Sequence, residues 1–335
     1  LLGRVSALTH DRVEPRLRIA AVYTEAGLEE KAIEELRDLL DVLCQANRWK
    51  EALPICEQGL AVSPRSIEFH RRKTHCLKAL KQLPEAAAAY RPLIDILLAE
   101  SAHAEAETEI LEALQLDGEN VELLEQLLGL YSTLGRRDDA LQVALRLRRI
   151  HQRRSAIEPL IAISKRILEL DDTDLETRTL LASQYVATAM TAEAAVEYEI
   201  AGDAYLQRGD TDAARQQFQR VVEIEPESLE VLRKLADLVA EHDSFEAAEP
   251  YYRHGLDVLR QGDDPEVVAR EYERIMALHP SRTDWRAEYA QWLLSEKRTQ
   301  AAYEQYVLLG RIFTEELGDL PAAIEIYKTL VELEP

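Results

Sequence analysis

Three groups of residues in this chain are of types that could do chemistry, and spacing alone tests each of them. His70, His75 and Cys76 form a local cluster of metal-binding types. Two histidines converge on a metal when they stand at i and i+4 of a helix. Five residues apart they diverge, so the spacing predicts ordinary surface or groove residues. Cys44 and Cys56 fall at positions expected to lie between helices, which suits packing better than reactivity. Three cysteines at irregular spacing do not make a disulfide framework and imply a reducing compartment, the cytoplasm. The 62 aspartates and glutamates predict a solvated face rather than a general acid. The sequence has no glycine-rich phosphate loop, HExxH, CxxC or GxSxG motif. No catalytic, cofactor-binding or metal site is expected, and the chain is not read as an enzyme.

Binding remains. The formal net charge of −22 repels nucleic-acid phosphates and anionic lipid surfaces and favours basic partners. No apolar run approaches the ~20 residues that cross a bilayer. The expected partners are therefore proteins or peptides, with no nucleic acid and no direct membrane insertion.

The elements that would present such a surface are repeated. LAVSP closes at Pro64, LQLDG at Gly118, LELDD at Asp172, VEIEP at Pro226, MALHP at Pro280 and VELEP at Pro335, at intervals of 54, 54, 54, 54 and 55. The units are 11–64, 65–118, 119–172, 173–226, 227–280 and 281–335. Residues 1–10 read as the remnant of a preceding unit, and the last unit carries one extra residue near Glu315–Gly318. The same register aligns Ala32, Ala86, Ala140, Ala194, Ala248 and Ala302. One turn on, and so on the same helix face, come Leu36, Tyr90, Ala144, Tyr198, Tyr252 and Tyr306. A small residue at the first of these positions lets two helices approach closely.

Each unit reads as three helices. In the fourth they are predicted at about 175–189, 192–207 and 212–224, with Gly209 and Asp210 marking one stop and the next start. That gives about 18 helices and an all-α chain. With three helices per unit, equivalent helices reverse direction from one unit to the next, so the true structural period could be two units.

These residues resemble the tetratricopeptide repeat family, whose 34-residue motif pairs two helices. Tyr198, Ala201, Gly202 and Tyr205 followed by Ala214, Phe218, Val221 and Pro226 match one motif. Leu181, Ala182 and Tyr185 followed by Ala194, Tyr198 and Ala201 match a second that overlaps it. The middle helix is thus shared between motifs, and the resemblance covers essentially the whole chain. Departures are Gly118 and Asp172 in place of the closing proline, and Leu160 and Val268 in place of the third-helix alanine. The resemblance implies a single right-handed α-solenoid over 1–335 that binds proteins.

It also implies a groove lined by helix-A positions. On the first helices these are Glu68, Arg71, His75 and Lys78; Glu122, Glu125, Gly129 and Ser132; and Glu230, Arg233, Asp237 and Ala240. On the middle helices they include Arg37 and Asp41, Arg91 and Asp95, Arg149, Glu199 and Asp203, Arg253 and Asp257, and Arg311. The i, i+4 Arg–Asp pairs among them also read as surface ion pairs worth ~0.3–0.5 kcal/mol. Arg71, Lys73, His75 and Lys78 are the nearest approach to the basic clamp with which some family members grip a C-terminal carboxylate, but no asparagine accompanies them.

Charge is segmented. The third unit is neutral overall and holds Arg146, Arg149 and Arg153 on one helix face, whereas the fourth and fifth units are the most acidic. The first patch predicts an acidic partner surface and the second a basic one. Trp285 and Trp292, seven residues apart, are expected to pack in the core of the last unit. Pro335 closes a unit with no polar capping helix after it, so a fragment of a longer array is expected, with self-association possible through uncapped ends. The leading reading is an interaction scaffold. The alternative is a regulatory or substrate-recruiting arm cut from a larger enzyme or a secretion, motility or polarity machine.

Overall fold

Alanine, leucine, glutamate and arginine lose little on entering a helix, and the chain is rich in them. The computed structural model describes residues 13–262 and 264–333, and among these it contains 18 α-helices and no strand. Residues 1–10 and Pro335 lie outside the described residues. The chain divides into two compact halves at Thr173 and Asp174. The N-terminal half contains α1 (Val13–Glu25), α2 (Glu29–Gln45), α3 (Trp49–Val62), α4 (Ile67–Ala79), α5 (Leu83–Ala99), α6 (His103–Leu116), α7 (Val121–Thr133), α8 (Arg137–Arg153) and α9 (Ile157–Leu170). The C-terminal half contains α10 (Leu175–Ala187), α11 (Thr191–Gln207), α12 (Thr211–Ile224), α13 (Leu229–His242), α14 (Phe245–Arg260), α15 (Pro265–Leu278), α16 (Thr283–Ser295), α17 (Thr299–Arg311) and α18 (Leu320–Leu333). Within each half, consecutive helices pack on one another.

Helix lengths run 13, 17 and 14 residues four times in succession, from α1 to α12. The next three are 14, 16 and 14 residues, and the last three 13, 13 and 14. A π-helical segment, Ile312–Glu316, continues α17. It overlaps the place where counting along the sequence puts one extra residue, and i→i+5 hydrogen bonding absorbs such a residue without breaking the helix.

The turns repeat as well. Residues with left-handed backbone occur at Gly27, Lys81, Gly135, Ala189 and Lys297, and again at Asn47, Ser101, Ser155, Gly209 and Gly318. All but Gly318 close a helix by letting the next amide reach back five residues, as Gln82 N–H does to Leu77 O at 3.0 Å; after Gly318, Asp319 N–H reaches back six, to Phe313 O at 2.9 Å. Ser66, Asn120 and Asp174 cap α4, α7 and α10 by accepting from the backbone N–H of Phe69, Leu123 and Thr177. All six aligned alanines, Ala32 through Ala302, are completely buried, and the residue four places on is buried in every case. Small side chains at the first position admit the neighbouring helix, and the larger ones fill the space beside it. On α18, Leu320, Ile324, Tyr327 and Val331 form an exposed apolar stripe.

Candidate protein-binding clefts

The Arg–Asp pairs read at i and i+4 on the middle helices do not pair with each other, and most of these residues reach the first helix of the next triplet instead. Arg37 on α2 binds Glu68 on α4 at 2.7 Å, and Asp41 accepts from Arg72. Arg91 on α5 binds Glu122 on α7 at 2.5 Å, and Asp95 accepts from Gln126 at 3.0 Å. Glu199 and Asp203 on α11 share Lys234 on α13, at 2.8 and 2.9 Å. Arg253 on α14 binds Glu288 on α16 at 2.8 Å and Glu249 on its own helix at 2.7 Å. Asp257 pairs within α14, with Arg260 three residues on at 3.1 Å. The reason is geometric: the adjoining helix presents a partner of opposite charge or polarity within reach. Most of these pairs are half-exposed and contribute ~0–1 kcal/mol each.

A second set of contacts joins the first helix of a triplet to the third. Arg71 Nε donates to Glu109 Oε1 at 2.6 Å, and the same guanidinium reaches Glu105 at 2.9 Å. Glu109 is only 6% exposed. At positions 162 residues on, Arg233 Nε donates to Glu271 Oε2 at 2.8 Å, and Glu271 is 3% exposed. Beside each pair stands a buried tyrosine. Tyr90 donates to Glu112 at 2.8 Å and accepts from Lys78 at 3.0 Å. Its counterpart Tyr252 donates to Asp237 at 2.8 Å, and Asp237 is bound by Arg274 at 2.7 Å. The charges are exchanged between the helices while the tyrosine is kept. The hydrogen bonds from Lys78 and then Tyr90 hold the Glu112 carboxyl below its usual range. Burial, reinforced by the Asp237 carboxylate, pushes the Tyr252 phenol up.

The first-helix positions expected to line one groove are therefore mostly engaged inside the array. Arg71, Lys78, Arg233 and Asp237 bind the third helix of their own triplet, and Lys73 lies 3.5 Å from Glu57. His75 sits edge-on against Trp49, with ring centroids 5.1 Å apart. The basic side chains Arg71, Lys73 and Lys78 of α4 are thus neutralised by Glu105, Glu109, Glu57 and Glu112.

The three arginines of α8 divide. Arg146 donates to the carbonyl of Gly118, and Arg153 binds Glu119 at 2.9 Å, so both brace the turn between α6 and α7. Arg149 has no ion pair among the described residues. It stands where Asp41, Asp95, Asp203 and Asp257 stand in other triplets, and each of those carboxylates is partnered. Arg146 and Arg149 line a cleft of about 730 Å³ between α6, α7 and α8, whose walls include Leu111, Leu114, Leu127 and Val143. Tyr131, at its edge, donates to Glu107 at 2.9 Å; burial and that carboxylate push its phenol up to about 12. Arg311, at the end of α17, likewise has no ion pair among the described residues.

Sequence reading missed two clusters. Cys76 does not group with His70, whose ring binds Pro64 O at 2.9 Å. Cys76 lies in one core cluster with Cys56, against which Cys44 packs, and all three are free. No group of three or more His, Cys, Asp or Glu able to hold a metal occurs among the described residues. Trp285 is fully buried at the centre of Phe245, Tyr252 and Tyr272, with Arg253 5.0 Å from its ring, and Trp292 packs on Tyr289. Both tryptophans are core residues. No described helix is long and apolar enough to cross a membrane.

Residues 201–257 match the family model described as tetratricopeptide repeat. Similar solved structures include MamA, from residue 41 to the end, of Desulfovibrio magneticus RS-1, at 19% identity over 53% of this chain and 97% of that one, with a TM-score of 0.26. BtubC from P. vanneervenii is 19% identical over 63% of this chain and 94% of that one, with a TM-score of 0.28. The pilF protein of Pseudomonas aeruginosa is 16% identical over 84% and 98%, with a TM-score of 0.23. No curated protein matches the sequence. The family match lies inside the C-terminal half, where consecutive helices pack on one another in sequence, and this chain is similar there to tetratricopeptide repeat proteins.

Proposed function

We propose that this protein is an interaction scaffold, built from 54-residue, three-helix units, that binds an acidic polypeptide segment in the cleft between α6, α7 and α8. The observation that carries the reading is Arg149. In an array whose charged side chains are largely matched against one another, it is a guanidinium without an ion pair in a cleft with apolar walls. A planar guanidinium binds carboxylates in bidentate fashion, and exposed leucine beside it adds apolar contact. Helix lengths of 13, 17 and 14 residues, and left-handed turn residues 54 apart from Gly27 to Ala189 and from Asn47 to Gly209, support the unit assignment. The three free cysteines support a reducing, cytoplasmic setting. The apolar stripe on α18 supports self-association as a subsidiary use.

The test is affinity as a function of salt. A polypeptide captured by the intact chain should bind more weakly as ionic strength rises, and Arg149→Glu should weaken it at least tenfold. Affinity that ignores both salt and Arg149→Glu contradicts the proposed cleft.

A further inference from the structure

Tyr90 and Tyr252 each occupy the space between the first and third helices of their triplets, but the equivalent residue of α8 is Ala144. The surrounding residues change with it. Fifty-four residues after Lys78 and Glu112 stand Ser132 and Arg166, and in place of the Arg71–Glu109 pair stand Glu125 and Ile163. The ring and the ion pair are both absent, and a cavity of about 350 Å³ lies between α7, α8 and α9. That volume is at the small end of ligand pockets. Leu128, Leu147 and Ile163 give it apolar walls, and Glu125, His151 and Arg166 supply polar groups.

One wall residue of this cavity has no role in packing the array. Gly129 lies inside α7, where glycine is less favourable than alanine. An added Cβ there would meet nothing within 4 Å, whereas at Gly59 and Gly202 it would fall 2.6 and 2.5 Å from the rings of Phe69 and Phe218. A glycine that makes no room for its own protein leaves room for a ligand's backbone to approach. His151 is 7% exposed and lines the cavity. Burial also lowers the pKa of His151, which keeps the ring a neutral donor and acceptor.

We propose that this cavity binds the tyrosine side chain of a partner polypeptide, which takes the place of the ring that Tyr90 and Tyr252 supply in their own triplets. The apolar walls receive the ring. His151 and Glu125 line the cavity where they can meet the hydroxyl, as Lys78 and Glu112 do for Tyr90, while Arg166 beside them is held by Glu169 at 2.5 Å. The proposal rests on the scaffold reading and names a second site and a different recognition chemistry for it.

The test pans a displayed library of random 12-residue peptides on the intact chain and measures the affinity of the enriched sequences. Enriched peptides should share a tyrosine, and changing it to alanine should weaken binding at least tenfold. Ala144→Tyr, which installs the ring found at the equivalent positions 90 and 252, should weaken binding at least tenfold without lowering the melting temperature. Gly129→Leu, built into open space, should do the same by a different route. Peptides that lack an aromatic residue, or that keep their affinity for both variants, overturn this site and leave the scaffold reading standing. Failure to enrich any peptide also overturns it. If the chain moreover captures no polypeptide in the salt experiment, the scaffold reading fails with it.

Discussion

Arg71 on α4 and Glu109 on α6 are joined by a 2.6 Å hydrogen bond across the gap between the first and third helices of one triplet. Arg233 and Glu271 repeat that relationship at positions 162 residues on. The two partners are unequally exposed: the Arg71 side chain is half in solvent and also bound to Glu105, whereas Glu109 is buried.

The unequal burial predicts unequal effects of mutation. Arg71→Met leaves a buried carboxylate without its cation and should destabilise by about 3 kcal/mol. Glu109→Gln leaves an arginine that keeps Glu105 and water, and should destabilise by only about 1 kcal/mol. Urea midpoints of the two variants, at unchanged m-value, measure the difference.

Glycines in helices should respond in opposite directions. Gly202→Ala forces a Cβ into the Phe218 ring and should destabilise by about 1–3 kcal/mol. Gly129→Ala meets open space and should stabilise by about 0.5–1 kcal/mol, because alanine loses less backbone freedom in a helix. Thermal melts of the two variants should shift in opposite senses.

The Lys78–Glu112–Tyr90 cluster should contribute to acid lability. The Glu112 pKa is lowered from 4.5 by its hydrogen bonds to Lys78 and Tyr90. A depressed carboxyl contributes stability above its unfolded pKa and loses it as pH falls through the folded value. Lys78→Met removes the principal cause, so the variant should be less stable than the parent at neutral pH by a few tenths to about 1 kcal/mol. The gap should close as pH drops below 4.5. Urea midpoints of both proteins across that range provide the check.

Arginines on α8 should separate into structural and binding roles. Arg153→Glu breaks the pair with Glu119 and should lower stability by about 0.2–1 kcal/mol. Arg149→Glu has no pair to break, and its stability should stay within about 0.5 kcal/mol of the parent. Melting curves should therefore distinguish two substitutions that are identical in charge.

Much of the architecture is legible in the sequence, because the packing requirement recurs. A residue small enough to admit a neighbouring helix returns as Ala32, Ala86, Ala140, Ala194, Ala248 and Ala302, and all six are buried. Gly209 followed by Asp210 locates a helix end and the next start, and the helices there run to Gln207 and from Thr211. What spacing cannot show is which helix a long charged side chain reaches. Arg91 and Asp95 read as partners at i and i+4, yet each finds a partner on α7, because the neighbouring helix is as near as the next turn. The cysteines illustrate the same limit: Cys44, Cys56 and Cys76 come from three helices, and only packing brings them into one cluster. The exchange of charge around Tyr90 and Tyr252 was available in the sequence, since Lys78 and Glu112 become Ala240 and Arg274 in the same register while Asp237 replaces His75. It becomes meaningful only once the first helix is seen to face the third.

The central claim is that this array binds a polypeptide through an arginine that its own helices leave without an ion pair. Quantitative capture from lysate at physiological salt, comparing the intact chain with its Arg149→Glu variant, tests it most directly. The account predicts at least one protein that the parent retains and the equally stable variant loses. No retained protein, or the same proteins in the same amounts on both, would contradict it.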